Sequence, residues 1–231
     1  MTPIQQDLIP QGRRNRPGKH NPAEYITIHN TGNTAKGAGA PNHAAYLKGD
    51  AAAGAPVSWH YTVDDKTIIR HIPDNETAWH AGDGAGTGNS RSVGIEICVN
   101  SDGDLARATG NAAELTAELM RLHNVPIGKV VQHNRWSGKD CPQMLRGGKP
   151  YSWDVFMEKV QAAYAPTPPD PRDAGSAVPY DYPSPWAKPS CDKALAKGFV
   201  TGDGNGNVGW HDVLTLQKLA VLLDKMGMLD R

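Results

Sequence analysis

The stretch Val131-Gln132-His133-Asn134-Arg135-Trp136-Ser137-Gly138-Lys139-Asp140-Cys141-Pro142 organises the chain. The short run Lys129–Val131 reads as a strand leading into it. His133 and Cys141 then follow on a loop, with Lys139 two places before the cysteine. A neutral imidazole and a thiolate are both good Zn²⁺ ligands, but two ligands do not make a site. The best third ligand lies in Tyr25-Ile26-Thr27-Ile28-His29-Asn30-Thr31, where an apolar strand runs into His29 at its carboxyl end. Two histidines and one cysteine leave one tetrahedral position open, as a catalytic zinc requires.

Outward from this pair, the chain alternates strand and helix patterns. In the first strand Tyr25, Thr27 and His29 share one face, and Ile26 and Ile28 the other. In Val93–Val99, the residues Val93, Ile95, Ile97 and Val99 face one way and Gly94, Glu96 and Cys98 the other. An acid such as Glu96 on an otherwise apolar strand is costly to bury without a partner; a salt bridge is the plain alternative to a catalytic role. Val57–Val63 and Thr67–His71, joined by Asp64-Asp65-Lys66, read as a hairpin. Helices are expected at Asn42–Ala53 with Asn42 as cap, and at Asn111–His123 with Leu115, Leu119 and Leu122 at helical spacing. A third is expected at Ser152–Tyr164, with Ser152 as cap and Val155, Phe156 and Val160 inside. Residues 7–24 read as an extended lead-in, and 32–41 and 82–90 as loops.

The 231 residues carry 24 basic and 24 acidic side chains, and 39% are hydrophobic. A core is affordable, and nothing resembles a basic nucleic-acid patch. No apolar run approaches the ~18 residues of a membrane span. The first residues lack the apolar core of a signal peptide, so synthesis and initial residence in a cytoplasm are expected. Three scattered cysteines do not make a disulfide framework, and a reducing compartment keeps Cys141 available as a ligand.

Ala165-Pro166-Thr167-Pro168-Pro169-Asp170-Pro171 reads as a semi-rigid linker. It divides the chain into 1–164, a linker at 165–180, and a small helical piece at 181–231. That piece shows helical stretches near 190–197 and 212–226, around a turn-rich loop at 198–207. Asp203, Asn205 and Asn207 suggest a calcium loop, but the spacing to Asp212 is too short for its 12 residues.

Residues 25–142 resemble the zinc-dependent N-acetylmuramoyl-L-alanine amidases, the family of phage endolysins, cell-wall amidases and peptidoglycan recognition proteins. The matching pieces are Ile28-His29-Asn30-Thr31, Ser58-Trp59-His60-Tyr61, Trp79-His80-Ala81-Gly82, Ser92-Val93-Gly94-Ile95-Glu96, and His133-Asn134 through Lys139-Asp140-Cys141-Pro142. The resemblance implies an α/β fold, a mixed central β-sheet flanked by helices. It implies one Zn²⁺ on His29, His133 and Cys141, Glu96 as general base, and Lys139 as stabiliser of the developing oxyanion. Asn30, Trp59 and His80 are then expected along the substrate groove, with packing as the alternative for Trp59, and orienting a partner or a plain structural place as the alternatives for His80. Trp59 stands where some branches carry a catalytic Tyr, so the chain is similar to the Glu-using branch. Cys141 separates it from the non-catalytic recognition branch, which usually lacks this ligand.

Residues 183–229 resemble a single S-layer homology motif, around Trp186, Ala194–Gly202 and Asp203-Gly204-Asn205-Gly206. This all-α module implies binding of secondary cell-wall polysaccharide. The usual Thr-Arg-Ala-Glu reads Thr215-Leu216-Gln217-Lys218, leaving Leu216, Leu219, Ala220 and Leu223 as an alternative face for packing or dimerisation. The resemblance implies an endolysin that cuts the muramoyl–L-alanine amide of Gram-positive peptidoglycan with a zinc-activated water, reaching the wall through a holin. A host autolysin or spore-stage amidase with the same chemistry, and a non-catalytic peptidoglycan-binding protein, remain the alternatives.

Overall fold

The computed structural model describes residues 2–165 and, beyond them, 193, 194 and 196–198. The chain divides into two compact units, Met1–Pro166 and Thr167–Arg231. In the second, the described residues form a helical turn in which Lys197 N donates to Lys193 O at 3.0 Å. The rest of the S-layer-like motif, the helix expected at 212–226 and its apolar face lie outside the described residues.

The first unit is a six-stranded mixed sheet. Its strands are β1 (Ile4–Gln6), β2 (Tyr25–Asn30), β3 (Tyr61–Val63), β4 (Ile68–Arg70), β5 (Ser92–Ile97) and β6 (Val130–Gln132). They run in the order β1-β4-β3-β5-β2-β6, parallel except for the antiparallel hairpin β3–β4. Asp64 closes that hairpin by accepting from the N–H groups of Lys66 and Thr67.

One face of the sheet is apolar. Ile26, Ile28, Val93 and Ile95 meet Ala112, Leu115 and Leu119 of a long helix (Leu105–His123) and Phe156 and Val160 of the last helix (Trp153–Tyr164). Asp104 caps the first by accepting from Arg107 N, and Ser152 caps the second by accepting from Val155 N. The long helix therefore starts six residues earlier than the apolar spacing indicates. Leu122 is exposed rather than inside. It sits in the last turn, before the chain leaves through left-handed Asn124, and Val125 closes the core in its place.

On the other face, Ala40 and Ala44 cover Ile69 and Cys98. Cys98 is a small core residue there, 2% exposed. The helix that supplies Ala40 and Ala44 spans Ala40–Lys48 and is followed, after a break at Gly49, by Asp50–Ala53. Gly39 is its cap, not Asn42, because Pro41 suits the first turn.

Residues 7–24, read as an extended lead-in, are held against the domain, and one further expectation changes. β1 pairs with β4, Ile9 is fully buried, and Arg16 makes a two-pronged ion pair with Glu76 at 2.8 and 2.7 Å. The stretch 82–90 contains a short helix, Thr87–Ser90, stabilised where Asp83 accepts from Gly88 N and Asn89 N. Among the described residues, no helix is long and apolar enough to cross a membrane.

Candidate metal centre and active site

In parallel sheets, sites form beyond the carboxyl ends of the strands, and three adjacent strands deliver this one. His29 lies near the end of β2 and is in register with Glu96 on β5. His133 follows β6, and its N–H continues the ladder by donating to Ile28 O at 3.2 Å. The register joins the two polar faces seen in the sequence, with Thr27 beside Gly94 and His29 beside Glu96.

The loop from His133 to Cys141 is tied from within. Asn134 Nδ2 donates to Gly138 O and Lys139 O at 3.0 and 2.9 Å, and Asn134 N donates to Cys141 O at 3.0 Å. A one-turn helix, Asn134–Ser137, forms there and ends on left-handed Gly138. Arg146 buttresses the outside through Asp140 and Gln132. Asn134 holds this loop by local side-chain bonds to nearby backbone, which Asn readily makes in turns.

The result is a cluster of His29, His133 and Cys141, all buried, with ligand atoms within 4.8 Å of one another. His29 Nδ1 and His133 Nδ1 are 3.0 Å apart, and Cys141 Sγ is 3.8 Å from His29 Nδ1. The outer nitrogens are already used: His133 Nε2 donates to Ala81 O at 2.8 Å, and His29 Nε2 meets His80 Nδ1 at 2.9 Å. Three soft or borderline donors thus converge on one point. Glu96 adds Oε1 at 3.9 Å from His29 Nδ1, while its Oε2 is buried without a partner. The donor set and the orphaned carboxylate oxygen fit zinc with a water or substrate in the fourth position.

Burial lowers the pKa of His29 well below the usual value and that of His133 to a lesser degree, so both are neutral. Burial pushes Glu96 up to about 8, against the charge of Lys139. It also pushes the Cys141 thiol up to about 11, with neighbouring Glu96 in the same direction; the backbone N–H of Asn30 and the Lys139 charge pull it down. A cation held at this centre would favour the ionised form of both acids.

Glu96, Lys139 and His133 line a cleft of about 560 Å³ together with Pro56, Val57, Trp59 and Trp79. Lys139 is exposed on it. Glu96 is 15% exposed, enough to be reached from the cleft. Trp59 contributes to the wall but is mostly packed, with its indole N–H held by Thr62 Oγ1 at 2.6 Å. Asn30 meets the site through its backbone, and its side chain is not on the cleft. His80 also lines the cleft, and it orients a neighbour. Both of its ring nitrogens are engaged, by His29 and by Ser92, because Gly94 leaves room for its ring to lie against the strand. Asn89 and Ser92 also hold the site, and no periodicity or ligand spacing singles them out.

The fold and this donor set are those of a zinc-type hydrolase domain. The family model described as N-acetylmuramoyl-L-alanine amidase matches residues 19–144, and the chain belongs to this family. An N-acetylmuramoyl-L-alanine amidase of Bacillus subtilis, CwlH, is 44% identical over 180 residues, covering 78% of this chain and 68% of that protein. A second from the same organism, XlyA, is 53% identical over 160 residues, covering 69% of this chain and about half, 52%, of that protein. A solved structure described as a mutant endolysin from Bacillus subtilis is 51% identical with TM-score 0.65, covering 69% of this chain and 99% of that one.

Proposed function

We propose that this chain hydrolyses the amide between the lactyl group of N-acetylmuramic acid and L-alanine in peptidoglycan, with one Zn²⁺ held by His29, His133 and Cys141. Bound there, zinc supplies Lewis-acid chemistry and brings the pKa of a water towards ~7. Glu96 takes up a proton and returns it to the departing amine. The carboxylate is the observation that carries the reading: Oε1 faces His29 Nδ1 at 3.9 Å and Oε2 is buried unpaired. An unpaired buried polar atom costs free energy, and a proton acceptor kept beside a metal centre is its chemical use. Lys139, exposed on the same cleft, brings positive charge to the carbonyl oxygen as the tetrahedral intermediate forms. Trp79, Val57 and the edge of Trp59 give the cleft an apolar side suited to the sugar face and lactyl methyl.

The likeness to a solved endolysin favours a lytic role over a spore-stage one; a neighbouring holin gene is the check. Residues 181–231 are assigned to wall retention through a secondary polysaccharide, with dimerisation through the Leu216–Leu223 face as the other outcome of a sedimentation and wall-pelleting experiment on the full chain. The activity itself is tested by digesting purified walls before and after chelation, counting new amino groups and new reducing sugars separately. New L-alanine amino termini, lost on chelation and restored by Zn²⁺, are expected. Reducing sugars, or no release with wall binding intact, would overturn the reading.

A further inference from the structure

The two imidazoles of the metal centre share one outer support. His29 Nε2 meets His80 Nδ1 at 2.9 Å, and His133 Nε2 meets the carbonyl of the next residue, Ala81, at 2.8 Å. A neutral imidazole binds metal through the nitrogen that carries no hydrogen, and the bond made by the other nitrogen decides which one that is. For His133 the answer is direct. A carbonyl only accepts, so the hydrogen is on Nε2 and the lone pair on Nδ1.

For His29 the pair alone leaves two answers, because two imidazoles can exchange donor and acceptor roles. Ser92 removes the choice. A hydroxyl has one hydrogen, and Ser92 Oγ donates it to Gly88 O at 2.6 Å. Towards its other neighbours, Thr27 Oγ1 at 2.8 Å and His80 Nε2 at 3.5 Å, Ser92 can only accept. Thr27 is consistent with this: it gives its hydrogen to Ser92 and accepts from Trp136 Nε1 at 2.9 Å. His80 therefore carries hydrogen on Nε2 and a lone pair on Nδ1. His29 donates to it from Nε2, and its own free lone pair is on Nδ1, 3.0 Å from that of His133.

The turn that bears these supports is clamped. Asn89 Oδ1 accepts from both His80 N and Ala81 N at 2.7 Å, and Asn89 Nδ2 donates to Gly84 O at 2.9 Å. The His80 ring lies over Gly94, where a Cβ would stand 2.8 Å from it.

We propose that the His80–Ala81 turn, placed by Asn89 and given its direction by Ser92, is a tautomer clamp that holds His29 and His133 as Nε2–H imidazoles with both Nδ1 atoms presented to the metal. The inference rests on the reading of His29, His133 and Cys141 as a metal centre. His80, Ser92 and Asn89 are positioning residues in it. The clamp prevents either Nδ1 from carrying the hydrogen that would otherwise bridge the two rings and close the site to metal.

The test uses the full chain, with imidazole nitrogens resolved by ¹⁵N NMR after zinc removal, and zinc affinity measured by chelator competition. The expected result is hydrogen on Nε2 of both His29 and His133. His80→Leu is expected to bind zinc 10- to 100-fold more weakly and to mix the His29 tautomers while leaving His133 on Nε2. His80→Asn, whose amide oxygen stands near the place of Nδ1, should restore most of the affinity. Hydrogen on His29 Nδ1 in the parent protein, or unchanged zinc affinity in a folded His80→Leu, would overturn the clamp. The tautomer measurement on the parent protein needs no variant to fold. It also needs no metal, so absence of zinc binding would sink the metal reading separately.

Discussion

The two faces of the central sheet are made of the same strands and do opposite work. On one, Ile26, Ile28, Val93 and Ile95 pack against the helices Leu105–His123 and Trp153–Tyr164. On the other, Thr27, His29, Ser92 and Glu96 are buried or nearly so, yet almost every polar atom has a directed partner. The apolar face is tolerant chemistry, where area and volume set the free energy. The polar face is exacting, because one misdirected hydrogen leaves a buried group unpaired. Among the few buried atoms without a partner, Glu96 Oε2 is the one on a carboxylate beside the metal-ligand cluster.

The sharpest way to break this contrast is at Glu96. Glu96→Gln keeps shape and burial but cannot accept the proton, so wall hydrolysis is expected to fall by 10²- to 10⁴-fold. Zinc stoichiometry and melting temperature should stay near those of the parent. Equal lysis by this variant would remove Glu96 as the base. On the opposite face Phe156→Ala should do the reverse, costing about 3–5 kcal/mol of stability while the folded fraction keeps its zinc affinity. Denaturant unfolding and chelator competition on the same samples separate the two effects.

Acid distinguishes the faces as well. Burial holds His60 and His71, on or beside the polar face, at about 4, whereas an unfolded histidine titrates near ~6.5. The folded state thus binds fewer protons over that interval. Stability is full above pH ~6.5 and is lost as pH falls towards ~4, on the order of 3 kcal/mol per histidine. Burial also lowers His29, His80 and His133, which adds in the same direction. The carboxyl of Glu96, raised to about 8, has the opposite trend. A melting series in zinc-free Glu96→Gln therefore removes the opposing trend, and a flat profile from pH ~7 to ~4 would contradict the prediction. The smallest effect is expected far from both faces. Asp104→Ala removes one helix cap and should cost about 1 kcal/mol with hydrolysis per folded molecule unchanged.

Much of the polar face was legible in the sequence because ligand chemistry is written in residue types. His29, His133 and Cys141 are scarce, reactive residues, and strand parity put Glu96 on the face opposite Val93 and Ile95. Register was not legible: nothing in either strand alone says that His29 stands beside Glu96, since pairing is a property of two strands. The roles of Ser92, Asn89 and Asn134 were hidden for a related reason. Their work is done by hydrogen bonds whose partners are fixed only by the fold, as the engagement of both His80 nitrogens shows. The helix at Thr87–Ser90 escaped because Gly86 and Gly88 read as loop, while the Asp83 carboxylate that stabilises it lies before the turn. Leu122 shows the limit of periodicity, which gives the face of a helix but not where its packing partner ends.

The most direct test of the polar face as a metal centre is X-ray absorption at the zinc edge on the purified full chain. One zinc per chain is expected, with one sulfur at ~2.3 Å and nitrogens at ~2.0–2.1 Å in a four-coordinate shell. A zinc shell without sulfur, or a protein that takes up no zinc, would contradict the site built here from His29, His133 and Cys141.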